Sequence, residues 1–242
     1  GYSSSFSISN NLSFSSGFQF ESSNGYNGRA NSDYVTDNIG NFDNVILNFS
    51  ISQNSTNDLL YPTDGYRNRL FFEISPEVVS DDNYYKITYN NEAYFELKNS
   101  KNFFFIDNNF GLAESFDSKL KTKNAFSLGG LNFKGFDYRG IGPFDNNYYL
   151  GGNKYFTSTI GYGSSFLFDE KDNVNIKLFV SAGSLWGSDY ASDNSYDIRS
   201  SVGLSFDILT IVGPISLSYA TPIEKNSSDK IREFNFSIGT SF

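Results

Sequence analysis

The chain has 242 residues, with 26 Phe and 17 Tyr but only 38% hydrophobic residues, and a formal net charge of −9. It is too aromatic for a disordered polymer and too polar for a helical membrane protein. Cys and His are both absent, which removes disulfides, thiolate and ordinary zinc sites, and imidazole bases. The low pI, near 4.5, argues against gripping a nucleic-acid backbone.

Alternating segments run along the whole chain, each bounded by Asn, Asp, Gly, Ser or Pro. Eleven strands are expected, near 2–9, 11–22, 43–54, 66–79, 84–97, 102–115, 152–168, 174–186, 197–208, 212–223 and 231–242. Because side chains of a strand repeat every two residues, Val45, Leu47, Phe49 and Ile51 share one face, as do Val174, Ile176, Leu178 and Val180. The last strand is the clearest. Phe234, Phe236, Ile238, Thr240 and Phe242 fall on one side, while Asn235, Ser237, Gly239 and Ser241 fall on the other. A soluble sandwich strand alternates in the same way, so the membrane reading needs the rest of the chain.

The longest apolar run is Phe103-Phe104-Phe105-Ile106, far short of the roughly 18 to 20 residues a transmembrane helix requires. A barrel strand needs only about ten tilted residues with every second one apolar, which is compatible with a mean hydropathy of −0.38. The gaps between strands alternate short and long, as periplasmic turns and outer loops do. The gap at 80–83 is the exception and reads as a short outer loop. On this assignment Phe242 ends on the short-turn side. The fold class expected is all-β, an antiparallel transmembrane outer-membrane β-barrel with 11 to 12 strands present. Residues 1–242 are expected to form one barrel domain, with 116–151 a long extracellular loop, either flexible outside the barrel or folded back into the lumen.

Eleven is odd, whereas bacterial single-chain barrels have even numbers. Either a short strand at Phe126 to Leu131 completes the count, or the first strand enters from outside because earlier strands are missing. A strand at Tyr2 to Ile8, with no leader before it, favours the second reading.

The long gap carries Leu128-Gly129-Gly130-Leu131-Asn132-Phe133-Lys134-Gly135-Phe136, then Ile141-Gly142-Pro143 and Leu150-Gly151-Gly152-Asn153. Further on come Phe179-Val180-Ser181-Ala182-Gly183-Ser184-Leu185-Trp186, Asp197-Ile198-Arg199-Ser200-Ser201-Val202-Gly203, and Gly213-Pro214-Ile215 leading to Tyr219-Ala220-Thr221-Pro222-Ile223. Tyr61-Pro62-Thr63-Asp64-Gly65 and Tyr84-Tyr85-Lys86 precede them. In order and spacing these resemble the carboxy-terminal barrel of the bacterial surface antigen family, the BamA-type outer-membrane assembly factors, over about residues 60 to 242.

The resemblance implies the carboxy-terminal part of a 16-stranded barrel whose POTRA domains and first strands are not in this chain. It further implies insertion of other barrel proteins into a Gram-negative outer membrane through a lateral seam. Phe234, Phe236, Ile238, Gly239 and Phe242 would form one lip of that seam. The implied partners are unfolded outer-membrane proteins, assembly-complex lipoproteins, and outer-membrane lipids with lipopolysaccharide. Gly129, Gly130, Phe133, Lys134, Gly135, Phe136, Gly142 and Pro143 would form the lumen-loop motif. Lys134 stands where the family has arginine, and Gly161 and Ser181 stand where its acidic partners are. What holds the loop is therefore open: other lumen acceptors for Lys134, or packing of Phe133 and Phe136. A secretion barrel of the same superfamily and a passive porin-like barrel are the alternatives.

No enzyme activity, cofactor or metal is expected. Asp81 and Asp82, Asp169 and Glu170, and Asp189 to Asp193 read as solvated turns rather than cation sites. Trp186, with Tyr148, Tyr149, Tyr162 and Tyr190, reads as an interfacial belt.

Overall fold

A computed structural model describes residues 1–25, 33–98, 100–145, 148–168, 171–192, 194–210 and 213–239. Its strands in chain order are β1 (Tyr2–Ser9), β2 (Leu12–Gly25), β3 (Gly40–Asn54), β4 (Gly65–Ser75), β5 (Tyr84–Glu96), β6 (Asn102–Ser115), β7 (Gly135–Phe136), β8 (Phe144–Asp145), β9 (Tyr148–Tyr149), β10 (Lys154–Phe168), β11 (Lys171–Trp186), β12 (Arg199–Thr210), β13 (Gly213–Glu224), β14 (Ile231–Arg232) and β15 (Phe234–Ile238). One four-residue helix, α1 (Asp33–Thr36), lies between β2 and β3. Eleven of the strands form one antiparallel sheet in the order β1-β2-β3-β4-β5-β6-β10-β11-β12-β13-β15. Among the described residues no helix is long and apolar enough to cross a membrane.

Two faces result from the two-residue repeat. The outward face exposes large apolar side chains, among them Phe20, Ile160, Leu178, Leu204 and Phe236. The inward face is polar or small and mostly buried, with Asn44, Ser50, Thr157, Ser181, Ser201, Ser205, Ser218 and Asn235. Apolar outside and polar inside inverts the pattern of a soluble sandwich, which removes that reading.

Aromatic and glycine pairs across strands interrupt this polar inward wall. Phe105 faces Gly161, Phe103 faces Gly163 and Phe179 faces Gly203. A Cβ on Gly161 would sit 2.4 Å from the Phe105 ring, so only glycine lets the ring lie flat across its neighbour. Phe103, Phe105, Phe179 and Ala220 form one buried cluster on this wall.

Two departures from the expected strand boundaries change the pairing or the loops; the other strand ends shift by no more than about three residues. The strand expected at 66–79 stops at Ser75, because Pro76 cannot donate to a ladder and begins a 3-10 turn over Glu77–Val79. The loop there is consequently longer than the 80–83 expected. Among the described residues, the strand expected at 231–242 pairs in the main sheet over Phe234–Ile238; Ile231 and Arg232 pair elsewhere, with β7. The segment Phe126 to Leu131 joins no sheet and makes isolated bridges, Phe126 to Gly152 and Leu128 to Ile141.

Candidate functional site

The connection from β6 to β10 does not stand away from the sheet. It lies against the inward face. Leu128, Phe133, Phe136 and Ile141 of this loop bury themselves with Leu185 of β11, and Phe126 and Tyr155 pack alongside. The Phe133 and Phe136 rings stack at 5.3 Å, with 12° between their planes. Gly129, Gly130, Gly135 and Gly142 all take positive φ, which lets the segment turn back on itself within a few residues. Asn132 fixes the turn, its Oδ1 accepting from the Gly129 N–H at 2.9 Å. Pro143 follows Gly142 where the chain leaves the wall, and its carbonyl accepts from the Leu150 N–H at 2.9 Å.

Lys134 sits near the tip of this loop. Its carbonyl accepts from the Ser201 hydroxyl at 2.7 Å, and its ammonium lies 5.1 Å from the centre of the Phe179 ring. It shares an inward cavity of about 180 Å³ with Glu92, Asp107, Lys177 and Asp207. Lys177 pairs with Asp207 at 3.1 Å. The two positions that lack acidic residues behave accordingly. Gly161 lies under the Phe105 ring, and Ser181 shares a 2.8 Å hydrogen bond with Thr159. The loop tip is therefore seated by stacked rings, a backbone hydrogen bond and a ring-to-ammonium contact.

Sequence reasoning missed where the same tip docks on its other side. β7 pairs with β14, Phe136 opposite Ile231 and Gly135 opposite Arg232. The Asp137 N–H donates to the Lys230 carbonyl, and the Lys230 N–H to the Gly140 carbonyl, each at 2.8 Å. The segment after β13 is held in turn by a buried ion pair. Arg199 Nε lies 3.1 Å from Asp229 Oδ2 and Arg199 Nη2 lies 3.2 Å from Oδ1, with the two side chains 3% and 0% exposed. Arg199 Nη1 also donates to the Asp197 carbonyl at 2.9 Å. Loop, ion pair and the lead into β15 thus form one unit. The short spacing from Ile231 to Phe234 carries no sign of this, since a two-residue bridge looks like the start of a strand.

β15 pairs with β13 over five residues, Phe234 to Ile238 against Tyr219 to Ile215. Phe234, Phe236 and Ile238 face outward and are exposed, while Asn235 faces inward and is buried. Gly239, the last described residue, has a φ of +101° and its N–H donates to the Pro214 carbonyl of β13 at 2.8 Å. Phe242 lies outside the described residues.

The root of the long loop is fastened separately. Asp82, buried beside β3, makes ion pairs with Lys121 and with Lys123, the latter at 2.7 Å, and accepts from the Asn44 amide at 3.3 Å. Lys121 also lies over the Phe42 ring. Burial alone would raise the Asp82 pKa; hydrogen bonds and charge from Lys121 and Lys123 outweigh it and hold the carboxyl below its ordinary value. A carboxyl so lowered stabilises the fold above its unfolded pKa of about 3.9, and that stabilisation is lost as the pH falls through the folded value. Asp82→Asn should therefore cost about 2 kcal/mol at neutral pH. The difference from wild type should shrink below pH 4, read from heat-modifiability midpoints on gels between pH 7 and pH 3. A gap that stays constant down to pH 3 would show that the carboxylate charge is not what fastens the root.

Of the acidic clusters, Asp82 forms this ion-pair knot, Asp81 accepts from the Asp43 N–H at 2.8 Å, and Asp189 accepts from the Leu120 N–H at 2.7 Å. Asp169, Glu170 and Asp193 lie outside the described residues. The expected aromatic belt divides. Trp186 packs edge-on against Tyr196 at 4.7 Å, and Tyr162 against Phe104 at 5.4 Å, on the outward face. Tyr149 instead hydrogen-bonds the Ser228 carbonyl, Tyr148 packs against Tyr34, and Tyr190 lies under Lys119.

A family model described as the Omp85 superfamily domain matches residues 1–242. Outer membrane protein assembly factor BamA of Neisseria meningitidis serogroup B is 28% identical, over 78% of this chain and 28% of that protein. Among solved structures, BamA from Haemophilus ducreyi lacking POTRA domains 1–3 superposes with a TM-score of 0.81 at 20% identity, over 97% of this chain and 52% of that one. The chain thus spans about half the length of the solved chain and little more than a quarter of the curated relative.

Proposed function

The chain belongs to the Omp85 superfamily, and on that premise we propose that it is barrel wall from an outer-membrane machine that folds and inserts other outer-membrane proteins. The substrates are unfolded barrel proteins, the accessory partners are assembly-complex lipoproteins, and the surroundings are outer-membrane lipids with lipopolysaccharide. The observation that carries this reading is the last strand. β12 and β13 pair from Thr210 and Gly213 to Ser200 and Glu224, and β15, paired with β13 over Phe234–Ile238 among the described residues, is an edge of the sheet. An edge strand leaves backbone donors and acceptors on its unpaired side open to a strand arriving from a client, which is β-augmentation.

Gly239 tests the seam. A Cβ there would meet nothing within 4 Å, so a substitution acts only through the backbone, whose φ of +101° a side chain disfavours by about 1–2 kcal/mol. Gly239→Val should extend the strand, tighten its end against β13 and lower the yield of folded client proteins in cells. An unchanged yield of heat-modifiable clients, with the variant present at normal level, would count against a seam at β15.

A further inference from the structure

One row of the outward face is polar where a membrane wall is apolar. Asn68 of β4, Asn91 of β5, Asn108 of β6 and Ser158 of β10 stand side by side in register. They are joined in sequence. The Ser158 hydroxyl donates to Asn108 Oδ1 at 2.8 Å, the Asn108 amide to Asn91 Oδ1 at 3.2 Å, and the Asn91 amide to Asn68 Oδ1 at 2.7 Å. The Tyr89 hydroxyl adds a fourth bond, to Asn68 Oδ1 at 3.0 Å. The row continues in register to Gln53 on β3 at one side, and through Ala182 on β11 to Ser200 on β12 at the other.

The row does not mark the edge of the apolar band, because apolar rows flank it on both sides. Toward the long loops lie Leu70, Tyr89, Phe110 and Phe156; toward the short turns lie Ala93, Ile106, Ile160 and Val180. Asn108 is near the middle of β6, and Asn91 near the middle of β5. The ends of the row are different. Gln53 is one residue from the end of β3, on the short-turn side, and Ser200 is one residue from the start of β12, on the long-loop side. Barrel strands tilt by about 35–45°, so a row perpendicular to them climbs from one membrane surface to the other.

Hydrocarbon offers no acceptors, and an amide placed there without partners is costly. The chain satisfies only part of the row. Asn91 and Asn108 each commit one of two amide hydrogens to it, and each is half-buried rather than covered. Short side chains between rows of Phe, Tyr and Ile also make a recess about 13 Å across, four residues of strand at about 3.3 Å each. Beside it, an apolar groove of about 560 Å³ is lined by Tyr89, Phe110, Phe156, Trp186 and Tyr196 among others.

We propose that this row is a furrow through which glycerophospholipid headgroups, with their water, cross the bilayer on the outside of the barrel. Phosphate and ester oxygens accept from the amide hydrogens in succession, while the acyl tails stay in hydrocarbon against the aromatic rows. The proposal rests on the membrane-spanning part of the reading above and is independent of assembly activity. A protein partner seated on the row would need polar groups only at mid-depth. The continuation to both rims favours the lipid.

The test uses the full-length protein in phosphatidylcholine vesicles carrying a trace of fluorescent phospholipid, bleached from outside by dithionite. Wild type should bleach beyond the outer-leaflet fraction reached in protein-free vesicles. Asn91→Leu with Asn108→Leu should return to that fraction, and Asn91→Ser with Asn108→Ser should retain most of the excess. Heat-modifiability on gels shows that each protein is folded, and client yield in cells reports assembly separately. Bleaching by wild type that stops at the outer-leaflet fraction overturns the proposal, as does an undiminished rate in the leucine pair. Crosslinking of a photoreactive residue at position 108 to another protein in native membranes would assign the row to a partner and overturn it too. Loss of client yield in the leucine pair with its bleaching undiminished would overturn the transport role and assign the row to assembly instead.

Discussion

Arg199→Met is expected to lower stability by about 3–5 kcal/mol, the cost of leaving a buried partner charge without compensation. The Asp229 side chain is fully buried and bonded by both Arg199 Nε and Nη2. Its carboxylate also accepts from the Asn226 N–H at 2.7 Å. Methionine fills a comparable volume, so the loss reports charge rather than a cavity. The double variant Arg199→Met with Asp229→Leu should recover most of the stability, since an apolar pair can replace a buried ion pair at little cost. The consequence reaches the seam, because the segment Asp229 belongs to carries Lys230 and β14, which bind the loop tip and lead into β15. Client yield should therefore fall in the single variant and return in the double. A single variant with a wild-type heat-modifiability midpoint would mean that the pair does not hold this segment.

The eleven sheet strands were legible because the alternation is driven by two different environments, and no other element competes for those residues. The errors fall where tertiary contacts override local pattern. Ile231 and Arg232 read as strand and are strand, but their partner is Phe136 and Gly135 rather than β13, and nothing local distinguishes the two. Pro76 was a visible signal that the fourth strand ends early. The pairing of Arg199 with Asp229 could not be read, since thirty residues of chain separate them and either could have been solvated. The polar row was visible in part. Asn90-Asn91 and Asn108-Asn109 are adjacent pairs within strands, and alternation sends one member of each pair outward whatever the register. That their outward members stand opposite each other is set by pairing between β5 and β6, which sequence alone does not fix.

What holds the inward loop is decided by comparing two substitutions. Phe136 is 0% exposed and stacked on Phe133. Phe136→Ala removes a buried ring against Leu128, Ile141 and Leu185 and should cost about 3–5 kcal/mol. Lys134 makes no ion pair with a described carboxylate; its ammonium contacts the Phe179 ring, and Lys177 engages Asp207. Lys134→Met exchanges a desolvated charge for an apolar side chain of similar length. It should change stability by less than about 1 kcal/mol, because the cost of burying the charge offsets what the ring contact contributes. The two variants should also separate in planar bilayers. Phe136→Ala frees the tip from the wall and should raise ion conductance through the barrel, whereas Lys134→Met should leave it closed. The reverse order, with the lysine variant conducting and the phenylalanine variant silent, would mean that charge rather than packing seats the loop. It would also mean that Asp107 and Asp207, which share the cavity with Lys134, replace the missing acidic pair at Gly161 and Ser181. The geometry favours packing, because glycine and serine at those two positions leave the wall to the rings of Phe105 and Phe179, and rings bind rings without needing a charge.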